Sequence, residues 1–155
     1  FNGKVGVRTA SGDIQLSDIK GSVLVRSESG EISLSQIVGD VAVSTASGEI
    51  KLSEVDGAVD AKTMSGELSA HFEGVTPTKA LKLSSASGDI TLEITSPIID
   101  ADLKAETISG DIEIADEFGI VVTREMVRRR AAGQIGRGGT PVSLDTVSGD
   151  ITVRK

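Results

Sequence analysis

A chain of 155 residues is long enough for one domain or one repeat array, and 23 Asp and Glu against 16 Lys and Arg leave it at net charge −7. With three Phe, no Tyr, no Trp and no Cys, it excludes a ring-rich core, a disulfide scaffold and a thiolate metal site. No run of 18 apolar residues is present, so no membrane-spanning helix is expected.

In chain order, Phe1-Asn2-Gly3 has the form of a repeat ending, seen again as Ile19-Lys20-Gly21, Ile37-Val38-Gly39 and Val55-Asp56-Gly57. The expectation is a chain that begins inside a repeat, a fragment whose targeting segment lies upstream. Next comes Thr9-Ala10-Ser11-Gly12-Asp13-Ile14, and its Ser-Gly-acid-apolar core returns around Gly30, Gly48, Gly66, Gly88, Gly110 and Gly149. Successive glycines (12, 30, 48, 66, 88, 110, 149) are separated by 18, 18, 18, 22, 22 and 39 residues. Such a period is the mark of a repeat architecture.

Within each repeat the apolar positions alternate, the period of a strand and not of a helix. Seven residues before the glycine stand Val5, Val23, Val41, Val59, Leu81, Leu103 and Val142, and five before it Val7, Val25, Val43, Ala61, Leu83, Ala105 and Leu144. Two residues after it stand Ile14, Ile32, Ile50, Leu68, Ile90, Ile112 and Ile151. The phase changes across the glycine, so the Ser-Gly step is a corner between two short strands. The fold class predicted is all-β, a single-domain β-solenoid (single-stranded β-helix) over 1–155, with about seven rungs of 18–22 residues and an irregular insertion or cap over 118–140. A lone rung buries too little apolar surface to offset the ordering of 18 residues, so the rungs must stack.

Stacking lines up equivalent residues in columns. The glycines are assigned as structural turn residues, because a corner with φ > 0 favours a residue without Cβ. Ser at each preceding position can bond turn backbone or the rungs above and below. The next column is acidic: Asp13, Glu31, Glu49, Glu67, Asp89, Asp111 and Asp150. Glycine-rich β-rolls bind calcium through turn aspartates, but here the acids occur once per rung without a paired GGxGxD pattern. The column reads as a solvated edge, with no metal and no cofactor expected.

Regularity fails over 74–80, 95–99 and 118–140, each time between the second strand of one rung and the first strand of the next. These departures share one edge of the solenoid, and insertions in repeat proteins map to loops on one face, often the binding face. Through Phe118 the chain has 9 Lys/Arg and 20 Asp/Glu, a net of −11; from Gly119 it has 7 and 3, a net of +4. The acidic part argues against a nucleic-acid partner. The basic end contains Arg124, Arg128, Arg129, Arg130 and Arg137, the candidate ligand-binding residues for an anionic polymer, a lipid headgroup or an acidic protein at the inserted edge. The alternative is that these arginines neutralise the acidic columns of their own solenoid or cover its end. Locally, one reading is a helix with Thr123 as N-cap, Arg124–Ala132 as body and Gly133 as stop. The favoured reading is extended, with 120–122 as a strand and 133–136 as a second, bent piece.

No catalytic constellation is visible. His71 is the sole histidine and occupies a slot filled by Ser17, Ser35 and Ser53 elsewhere, which predicts an outward position without partners. Each acid of the motif column has six equivalents, which points to structure and not to one active site, so no enzyme is expected.

The pattern V-x-V-x-T-x-S-G-D/E-I-x-L, with Arg129-Arg130 through Gly133-Gln134-Ile135-Gly136-Arg137-Gly138-Gly139 and then Leu144-Asp145-Thr146-Val147-Ser148-Gly149-Asp150-Ile151, resembles the bacterial family of SGDI-repeat β-solenoid domains labelled adhesins. The resemblance covers nearly the whole chain and implies a right-handed β-helix in proteins that are exported or membrane-tethered, some linked to envelope stress. It brings no catalytic residues with it. The function expected is a non-enzymatic, cell-envelope-associated binding or scaffold module; the alternative is a structural solenoid that self-associates end to end through exposed rungs.

Overall fold

The computed structural model describes residues 2–73, 79–95, 100–118, 120, 122–124, 128–135 and 139–155. Each motif builds two strands. The first five rungs are β1 (Val5–Thr9) with β2 (Ile14–Lys20), β3 (Val23–Ser29) with β4 (Ile32–Val38), β5 (Val41–Ser47) with β6 (Ile50–Asp56), β7 (Val59–Ser65) with β8 (Leu68–Glu73), and β9 (Leu81–Ser87) with β10 (Ile90–Thr95). The sixth in sequence is β11 (Ala101–Ser109) with β12 (Ile112–Ile114). A 3-10 turn at Asp116–Phe118 and a hairpin, β13 (Val122–Arg124) and β14 (Arg129–Ile135), precede the seventh, β15 (Thr140–Ser148) with β16 (Ile151–Arg154). The described residues contain no α-helix, and the strands form a β-solenoid of two facing sheets.

The alternating Val, Ile and Leu fill the space between the sheets: Val25, Ile32, Ile50, Leu83, Ile90, Leu144 and Ile151 are all fully buried. In the 18-residue rungs the second strand carries a left-handed residue, Asp18 (φ 55), Gln36 (φ 51) or Glu54 (φ 53). This kink lets Leu34 and Ile37, three residues apart, both point inward. In the 22-residue rungs Phe72 and Ile94 occupy the kink position as buried side chains on a straight strand. Nothing in the motif itself separates the two designs.

The rungs do not stack in chain order. One sheet runs β1-β3-β5-β7-β9-β15-β11-β14-β13 and the other β12-β16-β10-β8-β6-β4-β2. The last repeat is therefore threaded between the fifth and the sixth: β15 pairs in parallel with both β9 and β11, and β16 with both β10 and β12. The second irregular connection must accommodate this order. A chain leaving Thr95 must climb past one empty layer, about 4.8 Å more than usual, before it can begin β11 at Ala101.

The insertion after Phe118 is extended, as favoured from the sequence, but its strands differ from those expected. Arg129 and Arg130 are themselves in β14, which pairs antiparallel with β11 from Thr107↔Arg129 to Ala101↔Ile135. Gly133 lies inside that strand, opposite Leu103, and not at a bend; a Cβ there would come within 2.9 Å of Ile120 Cγ1. Phe118, Ala131 and Ile135 are buried and Ile120 packs against them, so the insertion closes this end of the core.

Candidate functional site

The motif glycines all have positive φ, from 112° at Gly12 to 151° at Gly110. A second reason for them appears only in the stack. A Cβ on Gly30 would overlap the carbonyl oxygen of Gly12, and the same holds for Gly48 over Gly30, Gly66 over Gly48 and Gly88 over Gly66. Gly149 sits over Gly88 and Gly110 over Gly149, in the threaded order. Adjacent rungs thus approach at the corner to a distance that admits no side chain. The flanking serines bond across rungs: Ser29 Oγ donates to Ala10 O and Ser47 Oγ to Glu28 O, both at 3.3 Å.

The acidic column is occupied by the protein's own groups. Asp13 Oδ1 accepts the N–H of Glu31 (3.2 Å), Asp89 Oδ1 that of Asp150 (2.8 Å) and Asp150 Oδ1 that of Asp111 (2.7 Å). Aspartate has the reach to take the corner N–H of the next rung. At two of the glutamates Lys51 intervenes, 3.0 Å from Glu31 and 3.3 Å from Glu49. These two carboxylates, Glu31 first, hold the lysine's pKa above its ordinary value. Among the described residues no group of three or more His, Asp or Glu is arranged to hold a metal ion.

The arginines divide into three sets. Arg137 lies outside the described residues. Arg124 ends β13 and pairs with Arg129 in backbone register, and its side chain lies outside the description. Arg128, Arg129 and Arg130 converge on the solenoid's own acids. Arg128 Nη1 is 2.8 Å from Glu106 Oε1, Arg130 Nη2 is 3.2 Å from Glu106 Oε2, and Arg129 pairs with Asp111 of the motif column. Glu106 lies on β11, directly opposite Arg130 in register. Its side chain is only 17% exposed, and that burial raises its pKa; Arg130 and Arg128 outweigh the burial and bring it below the ordinary carboxylate value. Glu106 was not among the residues singled out from sequence, since only the antiparallel pairing of β14 brings it to the arginines.

The sign of that shift sets a pH dependence. A carboxylate with a lowered folded pKa contributes stability that is complete above its unfolded value, about 4.3, and is lost as pH falls through the folded one. The Glu106 fork is expected to contribute about 1 kcal/mol at neutral pH, as a partly exposed network does. Amide protection factors in β14, which correct for the slowing of intrinsic exchange in acid, should fall below about pH 4 in the native protein. In Glu106→Gln the protection factors should be lower at pH 7 and nearly constant across that range; constant protection factors in the native protein would refute the assignment.

His71 occupies the outer face of the seven-stranded sheet, but not without a partner as expected: its Nδ1 is 3.8 Å from Glu93 Oε1 in the next rung. On the outer face of the nine-stranded sheet, near the corners that precede its strands, lies a groove of about 630 Å³ lined by the small residues Gly6, Ser22, Ala42, Ala58 and Ala80 and also by Leu24, Asp60 and Lys82. Among the described residues, four large apolar side chains are exposed on that face: Leu24, Met64, Ile108 and Val147. The strands flanking the first two departures from regularity, and β12 and β15 around the third, meet at the same corner, as a shared edge requires.

A family model described as Toastrack DUF4097 matches residues 3–154. No curated protein and no solved structure matches the chain. With nearly every residue inside the match, the chain belongs to the Toastrack DUF4097 family.

Proposed function

Taking that membership as the premise, we propose that this solenoid is a non-enzymatic binding or scaffold module of the bacterial cell envelope, extracytoplasmic or membrane-tethered in the full-length protein. Its contact surface is the β13–β14 hairpin at the capped end, and its partner is anionic. The observation that carries this reading is the exposure of the arginines in a chain that is otherwise acidic. Arg128 and Arg130 pair with Glu106 through one side of each guanidinium while about half of each side chain remains open to solvent. An anionic polymer, lipid headgroup or acidic protein segment can take the remaining donors, since a guanidinium offers five. Use of the motif carboxylates in rung-to-rung bonds supports the non-enzymatic part of the reading.

A second reading is favoured by the same ion pairs: the arginines only fasten the cap. The two are separated by pairing Arg128→Ser/Arg130→Ser with Glu106→Gln and measuring retention on immobilised heparin and on vesicles containing anionic lipid. If the hairpin is a contact surface, the double variant loses retention, and Glu106→Gln, which frees both arginines, elutes at higher salt than the native protein. If the arginines only fasten the cap, all three proteins elute alike and only their melting temperatures differ.

End-to-end association meets an obstacle at the capped end. There β14 covers the outer edge of β11 antiparallel to the rung strands, so a further rung cannot extend that sheet in parallel. The strands at the opposite end of the stack, β1 and β2, have one neighbour each.

A further inference from the structure

The outer face of the nine-stranded sheet has a charge order along the stack that sequence order conceals. Backbone register places Arg8, Arg26, Ser44, Lys62, Ser84, Asp145 and Glu106 in one column, running from β1 to β11 through the threaded β15. Cations occupy the first half and anions the second. Two residues further along each strand runs a parallel column of Ala10, Glu28, Ala46, Met64, Ala86, Val147 and Ile108, all exposed and all apolar except Glu28. Met64 is the most exposed large apolar residue among those described, at 66%, and borders a hollow of about 230 Å³ beside Arg8, Arg26 and Ala46.

We propose that this face is the interface of a two-fold homodimer, in which a second copy of the chain packs its nine-stranded sheet against the first with the stacks running in opposite directions. A two-fold axis along the strands keeps each column opposite itself and reverses the order of the rungs. With the axis at β7, Arg26 of each copy lies over Asp145 of the other, Arg8 over Glu106, and the two Met64 side chains meet at the centre. Each Met64 then leans one rung over into the partner's hollow beside Ala46. Glu106 is already engaged by Arg128 and Arg130, so the Arg26–Asp145 pair sets the register. The two Lys62 side chains also face each other, and each is 3.8 Å from its own Asp60.

Area supports a second copy as the occupant. Seven overlapping strands spaced about 4.8 Å, each about seven residues at about 3.3 Å, cover roughly 800 Å² per copy and about 1,600 Å² in total, the size of a standard stable interface. Sheets that pack face to face in this way lie about 10 Å apart. The β13–β14 hairpin projects beyond the overlap and adjoins it only where Arg128 and Arg130 reach Glu106, so this interface does not depend on the surface of the preceding section.

The test is sedimentation equilibrium on the native protein from 1 to 100 μM. A dimer is expected, with Met64→Asp monomeric across that range and its melting curve little changed, since the side chain is exposed. Arg26→Glu should weaken dimerisation at least tenfold, and Arg26→Glu/Asp145→Arg should restore it, a rescue that no merely structural role of either residue produces. A native protein that stays monomeric, a Met64→Asp variant that still dimerises, or a double variant that fails to recover would each overturn the proposal.

Discussion

Gly48→Ala is expected to destabilise the domain by more than about 4 kcal/mol, whereas Gly12→Ala should cost only about 1–3 kcal/mol. Both residues have positive φ, 134° and 112°, and that strain is common to the two substitutions. They differ in what lies beneath. Gly12 has nothing within 4 Å of an added Cβ, while at Gly48 the methyl group would overlap the backbone oxygen of Gly30. A backbone carbonyl in a paired stack cannot rotate away as a flexible side chain can, so the rungs must separate and the ladders on both strands suffer. Urea unfolding of the two variants measures the gap directly. Equal losses would show that φ strain alone explains the glycine column and that the close approach of the rungs is irrelevant to stability.

Removing residues 140–155 should do more than shorten the array by one rung. In a solenoid stacked in chain order, loss of the last repeat removes one nearest-neighbour interface and leaves the remainder intact. Here it removes the layer between β9 and β11 and between β10 and β12. The sixth repeat loses its parallel partners, the β14 cap is left on an unsupported β11, and the buried Leu144, Ile151 and Val153 leave the core. The expected outcome is loss of amide protection throughout 101–135, with the cooperative transition broadened, while the rungs from β3 to β8 retain theirs. Hydrogen exchange followed by mass spectrometry resolves the two regions. If 101–135 stays protected in the truncated chain, the threaded order is wrong or the sixth repeat can close directly onto the fifth.

Both expectations rest on features of differing legibility. The rung itself was readable, because alternation of Val, Ile and Leu on either side of Ser-Gly fixes which side chains face inward, and the corner glycine follows from φ. The kink at Asp18, Gln36 and Glu54 was not: three different polar residues adopt it, and only the burial of Ile19, Ile37 and Val55 reveals that the strand has turned over. The arginines were found but their partners were not, since Glu106 and Asp111 come to them through an antiparallel pairing that no periodicity announces. The charge column of the outer face was likewise hidden, because Asp145 precedes Glu106 in space and follows it in the chain.

The amino-acid pattern by itself determined the repeat, the two strands per rung, the inward columns and the corner, since each depends on a few residues and a period of two. Only the tertiary structure decided the order of the rungs. All seven repeats present the same motif edge, so β15 can in principle lie against any of them, and local propensity does not distinguish the choices. The choice is made by the connections and the cap: a bridge from Thr95 to Ala101 that skips a layer, and a β14 that closes the far edge of β11 and leaves the last repeat one vacant place with partners on both sides.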